Sequence, residues 1–250
     1  MLVIAALNGA RSKMAHPAVP VSPAELVEAA RGAAEAGAQA IHFHVRGPDD
    51  GESLAPDDVA RAVTAIRPLR IPFGISTGAW IIPDADERLR VISAWTALPD
   101  FVSVNFNETG AAELARHLLG RGVSVEIGIP DRLAAEELVR SELGPGCLRV
   151  MFEPAEQVLG EALKTVAECE TFLDGAKIKS PRLLHGVDAT AWPLLDEAIA
   201  RGYDGRIGFE DTFALPDGSR AGTNADLVRG AIRHAKSRTA GVRGRTAEPA

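Results

Sequence analysis

The run Ile41-His-Phe-His-Val-Arg46 sets two imidazoles one residue apart inside an apolar stretch. On a β-strand alternate side chains share a face, so His42 and His44 point to one side while Ile41, Phe43 and Val45 point to the other. A metal ion would thereby gain two nitrogens from one rigid segment. Imidazole suits zinc, and a catalytic zinc takes three protein ligands and leaves a position for water or substrate. The pair is two-thirds of such a site. The competing reading is two hydrogen-bonded histidines that line a cleft.

A pair of this kind needs a strand that ends at a site, and the chain as a whole reads as repeated strand followed by helix. Apolar runs predict strands at 2–7, 39–45, 71–76, 101–105, 123–127, 148–152, 182–185 and 206–210. Alanine-rich segments with helical spacing predict helices at 23–36, 57–67, 84–97, 111–119, 132–141, 155–172, 192–201 and 224–236. The first helix has Ser22 as its cap, Pro23 in its first turn and Gly37 as its stop. Eight such units in 250 residues predict a (β/α)8 TIM barrel, one catalytic domain over 1–236. The Gly-, Arg- and Thr-rich segment 237–250 lacks an apolar period and is expected to form a loosely ordered tail.

In a barrel of this type the chemistry sits where strands end and the following loops begin. The polar residues there are Asn8 and Arg11, His42, His44 and Arg46, Ser76 and Thr77, Ser103, Asn105 and Asn107, Glu126, Glu153, His185, and Arg206, Glu210 and Asp211. About half of them are expected to be polar only because strand ends meet water. Strand eight closes onto strand one, and strand two flanks strand one on its other side, so strands two and eight lie roughly 10 Å apart. If 206–210 is one strand, Arg206, Gly208 and Glu210 share a face. Glu210 becomes the carboxylate candidate for the third ligand position, with a plain salt bridge as its alternative. Trp80 is read as a core-packing residue, with a pocket wall as its alternative, and His185 as a pocket residue, a proton donor or a structural histidine.

These motifs resemble the β-keto acid cleavage enzymes. The resemblance rests on Gly37-Ala-Gln-Ala-Ile-His-Phe-His-Val-Arg46, Arg206-Ile-Gly-Phe-Glu-Asp-Thr212, Gly218 with Thr223-Asn-Ala-Asp-Leu-Val228, the opening Ala5-Ala-Leu-Asn-Gly-Ala10 and the turn Ser76-Thr-Gly78. It implies a zinc-dependent enzyme that transfers the two-carbon carboxylate end of a β-keto acid to the acetyl group of acetyl-CoA. The products would be acetoacetate and a new acyl-CoA. By the same resemblance His42, His44 and Glu210 are the zinc ligands, Asp211 is the general base, and Arg206 and Glu126 support it. Ser76, Thr77, Gly78, Ser103 and Asn105 fall on substrate-binding positions, and a homo-oligomer is implied. Where the family often carries a glutamate after Gly-Ala, this chain carries Arg11, which is expected to bind a carboxylate of the keto acid.

Composition narrows the rest. Twenty-seven Lys and Arg against 34 Asp and Glu give a net charge of -7, which points away from nucleic-acid partners. The apolar start is too short for a membrane span or a signal-peptide core, so no membrane partner and a cytoplasmic location are expected. Cys147 and Cys169 form no motif and are read as packing residues. Two other functions fit the same residues: a CoA-independent zinc-dependent aldolase or hydrolase, and a non-catalytic metal- or ligand-binding barrel.

Overall fold

The computed structural model describes the backbone of residues 1–245 and the side-chain placement of residues 1–237. Its strands are β1 (Val3–Ala6), β2 (Ala40–Phe43), β3 (Phe73–Ser76), β4 (Phe101–Asn105), β5 (Ser124–Ile129), β6 (Arg149–Phe152), β7 (Arg182–Leu184) and β8 (Asp204–Ile207). The helices are α1 (Pro23–Glu35), α2 (Pro56–Ile66), α3 (Ala85–Ser93), α4 (Ala111–Gly120), α5 (Arg132–Ser141), α6 (Leu159–Gly175), α7 (Ala191–Arg201) and α8 (Asn224–Arg245). The strands pair in parallel and in chain order, and β8 returns to β1, closing a (β/α)8 TIM barrel. No described helix is long and apolar enough to cross a membrane.

Local chemistry starts several of the helices where the sequence places them. Ser22 and Glu25 form a reciprocal capping box on α1, and Asp84 and Asp131 accept the free N–H groups of Glu87 and Ala134 at the starts of α3 and α5. The strands are buried on both faces. Their outward residues, among them Val3, Ala5, Ile41, Phe43, Val102, Val104, Val125 and Ile127, join the helices in the main core. Inward, Ile4, Ala40, Phe101, Met151 and Leu183 form a separate apolar plug toward the strand N-termini. Gly74 is part of that plug by omission, because a Cβ there would lie 2.2 Å from the Phe101 ring. Above the plug the barrel interior turns polar, which is where the strand C-termini open.

Several segments differ from the sequence expectation: α3 stops at Ser93 rather than at 97, α6 runs from Leu159 to Gly175 rather than over 155–172, and the eighth strand and the last helix depart as follows. Strand eight ends at Ile207, and residues 208–211 fold into a turn in which the N–H groups of Asp211 and Thr212 both donate to the Gly208 carbonyl at 2.9 Å. The cause is a close backbone crossing: a Cβ at Gly208 would stand 1.9 Å from the Ala6 carbonyl oxygen, so the chain cannot run on as an ordinary strand beside β1. At the other end, α8 runs to Arg245 rather than stopping at Lys236. Of the tail expected at 237–250, residues 246–250 lie outside the described residues.

Candidate active site

Strand β2 carries His42 opposite Ala6 of β1, and His44 follows one step beyond the strand on the same side. Both rings are buried, at 1% and 5% exposure. The His44 peptide is fixed by Asn8, whose amide oxygen accepts from His44 N at 2.8 Å and whose Nδ2 donates to the His44 carbonyl at 3.0 Å. Glu210 arrives by the turn after β8, which is pinned by Glu210 N to the Ala6 carbonyl at 3.2 Å and by Phe209 N to the Asn224 side chain at 2.8 Å. The Glu210 side chain then crosses Gly9, where a Cβ would lie 2.3 Å from Glu210 Cγ.

The three side chains converge. His42 Nε2 lies 3.6 Å from Glu210 Oε2 and His44 Nε2 lies 3.5 Å from Glu210 Oε1, with one ligand atom from each residue within 4.8 Å of the others. These separations are long for hydrogen bonds. They match the edge of about 3.4 Å between donors that each sit about 2.1 Å from a tetrahedral ion. Glu210 Oε2 is moreover buried without a hydrogen-bond partner. Two imidazoles and a carboxylate with an unused buried oxygen fit a divalent cation.

The electrostatics put His42 and Glu210, but not His44, in the form that a cation takes. Burial lowers the pKa of His42 to about 3, against the pull of Glu210, so its ring is neutral. Burial also opposes charge on His44, but the Glu210 and Glu52 carboxylates outweigh it and raise that pKa to about 9. Burial opposes the charge of Glu210 too, yet Arg206, His44 and His42 hold its pKa well below the ordinary carboxylate range. In the metal-free protein His44 thus stabilises the fold fully below pH 6.5, its ordinary value, and the contribution is lost as pH rises through about 9. Since a metal needs the neutral ring, uptake of a divalent cation at pH 7.5 is expected to release about one proton. Calorimetric titration in buffers of different ionisation enthalpy measures it, and zero release would contradict the charged His44.

Gly9 has φ +52°, the left-handed region, besides lying under Glu210. Gly9→Ala is expected to cost about 1–2 kcal/mol in backbone strain and to weaken metal binding by displacing the Glu210 carboxylate. A thermal melt and a zinc titration of the same sample separate the two effects.

Next to the triad, Arg206 Nη2 donates to Asp211 Oδ1 at 2.6 Å and to Glu210 Oε1 at 3.1 Å. Burial works against the guanidinium charge, and Asp211 and Glu210 more than offset it, raising the Arg206 pKa. Asp211 is fully buried, and its Oδ2 has no hydrogen-bond partner. His185 lies between Asp211 Oδ1, 3.4 Å from its Nδ1, and Glu153 Oε2, 3.6 Å from its Nε2. Glu126 is fully buried, and burial raises its pKa against Arg149 and Arg206. Its ion-pair partner is Arg149, at 3.1 Å, which continues to Asp204 at 3.2 Å.

The other expected site residues divide. Ser76 and Ser103 are buried neighbours in register on β3 and β4, and Asn105 ends β4 with its Nδ2 donating to Glu108 Oε1 at 3.3 Å. Thr77 Oγ1 is used internally, donating to the Ser103 carbonyl at 2.7 Å. Gly78 lies under the Trp80 indole, only 2.3 Å from where its Cβ would be. Arg11 is at the rim, its Nη2 donating to Asp188 Oδ1 at 2.6 Å and its Nε to the Glu210 carbonyl at 3.3 Å. Trp80 is not a core residue. It is 51% exposed and stacks on His44 with ring centroids 5.9 Å apart. The residue that sequence reading missed is Glu52, whose Oε1 accepts from His44 Nδ1. A signal for it existed: Gly47-Pro-Asp-Asp-Gly51 is a turn composition that folds the chain back beside β2, and Arg46 and Glu52 form the resulting antiparallel bridge.

The chain is similar to several known proteins. Two 3-keto-5-aminohexanoate cleavage enzymes are similar over nearly the whole chain. That of Acetoanaerobium sticklandii is 26% identical over 94% of this chain and 92% of its own length. That of Fusobacterium nucleatum subsp. nucleatum is 28% identical over 94% and 91%. A shorter match, 46% identical over 22% of this chain and 19% of the relative, is to a 3-oxoadipate:acetyl-CoA acetyltransferase of Cupriavidus necator. Among solved structures, a binary complex of ObcA with oxaloacetate superposes with a TM-score of 0.72 at 16% identity, covering 89% of this chain and 64% of that one. The 3-dehydroquinate dehydratase of Aquifex aeolicus VF5 superposes at 0.58 with 11% identity over 95% and 98% of the two chains, and both structures show the barrel fold alone. The sequence profile of the beta-keto acid cleavage enzymes matches residues 1–173 and 161–243. With the match spanning both histidines, the Glu210-Asp211 pair and the barrel between them, the chain belongs to the β-keto acid cleavage enzyme family.

Proposed function

We propose that the protein is zinc-dependent and transfers the two-carbon carboxylate fragment of a β-keto acid to the acetyl group of acetyl-CoA, giving acetoacetate and a new acyl-CoA. The observation that carries this reading is the convergence of His42, His44 and Glu210 beside an arginine-held Asp211 with one unpartnered buried oxygen. Zinc bound by the three residues supplies Lewis-acid polarisation of the keto acid, which makes its central carbon more acidic.

Every other task falls to the chain. Asp211 Oδ2 takes the proton from the carbon between carboxylate and ketone, and the electron pair left there attacks the acetyl-CoA thioester carbonyl. The displaced CoA thiolate adds to the original ketone, the bond between that ketone and the central carbon breaks with its electron pair on the carbon, and the proton held by Asp211 returns there, so that acetoacetate and the new acyl-CoA leave with atoms and charge balanced. Arg206 orients base and metal ligand together, because one Nη2 reaches both carboxylates. Glu126 acts from one layer below, through Arg149 and the field of Arg206. Ser76, Ser103 and Asn105 face the substrate, Thr77 and Gly78 back that wall through the Ser103 carbonyl and the Trp80 indole, and Arg11 stands at the rim to meet an anionic group. Use of acetyl-CoA draws support from the acetyltransferase named among the relatives.

The test is metal analysis of the purified protein, followed by a scan of β-keto acids with and without acetyl-CoA. Zinc with acetoacetate formed only when acetyl-CoA is present is the expected result. Turnover without CoA would replace this reading with an aldolase or hydrolase, and metal without turnover on any keto acid would leave a binding barrel.

A further inference from the structure

The β2–α2 loop carries a carboxylate that the reaction outlined above does not use. Glu52 is 13% exposed in its side chain, and its Oε1 accepts from His44 Nδ1 at 2.5 Å. The Trp80 Nε1–H lies 3.0 Å from the same oxygen and 3.1 Å from Oε2, so the indole grips both arms of the carboxylate. The indole itself cannot slide away inward. It rests on the backbone of Gly78, where even a methyl group would come within 2.3 Å of it, and it stacks on the His44 ring at an interplanar angle of 26°. The result is a closed circuit from His44 to Glu52 to Trp80 and back to His44.

A neutral imidazole carries its proton on one nitrogen, and the partner of that nitrogen decides which. A carboxylate at Nδ1 puts the proton there and leaves the Nε2 lone pair free, and Nε2 is the atom 3.5 Å from Glu210 Oε1. His42 has no such partner, since its Nδ1 is buried and unbonded. One of the two imidazole ligands is therefore aimed from outside and the other is not. We propose that Glu52 and Trp80 are positioning residues of the metal centre: Glu52 fixes the tautomer and angle of His44, and Trp80 holds Glu52 in place. This rests on the metal-site reading above, and the experiment keeps the two apart.

Apoprotein prepared with a chelator is titrated with zinc in competition with a chromophoric chelator while tryptophan emission is followed. The parent is expected to bind zinc with a change in emission. Of its three tryptophans, Trp95 donates to the Leu54 carbonyl and Trp192 to the Ala214 carbonyl, and Trp80 alone touches a ligand ring. Glu52→Gln keeps the shape and removes the charge, and it is expected to bind zinc about 10- to 100-fold more weakly. Trp80→Phe keeps a ring on a half-exposed site and removes the N–H. It is expected to weaken zinc binding about 10-fold and to abolish the emission change. Thermal melts in chelator check that both variants fold, and if Glu52→Gln does not, Trp80→Phe carries the decision. Parent-like affinity in the folded variants, or a full emission change in Trp80→Phe, overturns the inference while leaving the metal site intact. A parent that takes up no zinc sinks both.

Discussion

Asp211→Asn is expected to lower kcat by about 10²- to 10⁴-fold, the contribution of a positioned general base, while zinc binding stays near the parent value. The substitution keeps the volume of a fully buried side chain and an oxygen to accept from Arg206. It removes only the capacity to take a proton at the unpartnered Oδ2. Because Asp211 is not among the three converging ligands, a metal-content measurement on the same preparation distinguishes a lost base from a damaged site. A variant that retains kcat within about threefold would assign proton transfer elsewhere, with the neighbouring His185, 3.4 Å from Asp211, as the first group to test.

Arg206→Met should give the largest loss of stability. The guanidinium is 4% exposed and compensates two carboxylates at once, those of Asp211 and Glu210. Removing one partner of a buried ion pair leaves uncompensated charge and costs about 3–5 kcal/mol. For a chain of this size that corresponds to a fall in Tm of roughly 6–20 °C. Zinc binding would neutralise part of the Glu210 charge, so the fall should be greater in chelator than in excess zinc. Melts under both conditions decide it: a loss below about 2 °C in chelator would mean that the two carboxylates find other compensation.

Strand periodicity carried the first half of the site. His42 and His44 share a face because a strand repeats every two residues, and burial of Ile41, Phe43 and Val45 on the other face follows from the same rule. Glu210 was reachable by identity but not by route. Parity makes it a strand residue, whereas it reaches the histidines from a turn wrapped over the end of β1. The crossing of Gly208 against Ala6 that forces this turn joins residues about two hundred positions apart, and no local pattern encodes it.

The sequence by itself determined the eightfold alternation, the two-histidine face, the cap of α1 and the polar rim, since each depends on neighbours within a few positions. Tertiary structure decided which rim residues meet. Glu52 and Trp80 belong to different loops, 28 residues apart, and become partners only because closure of the barrel stacks the end of β2 beside the end of β3. Likewise Arg11 faces Asp188, 177 residues away, once β8 has returned to β1. Backbone periodicity fixes the direction in which a side chain leaves its strand, whereas only a closed sheet fixes what stands opposite it.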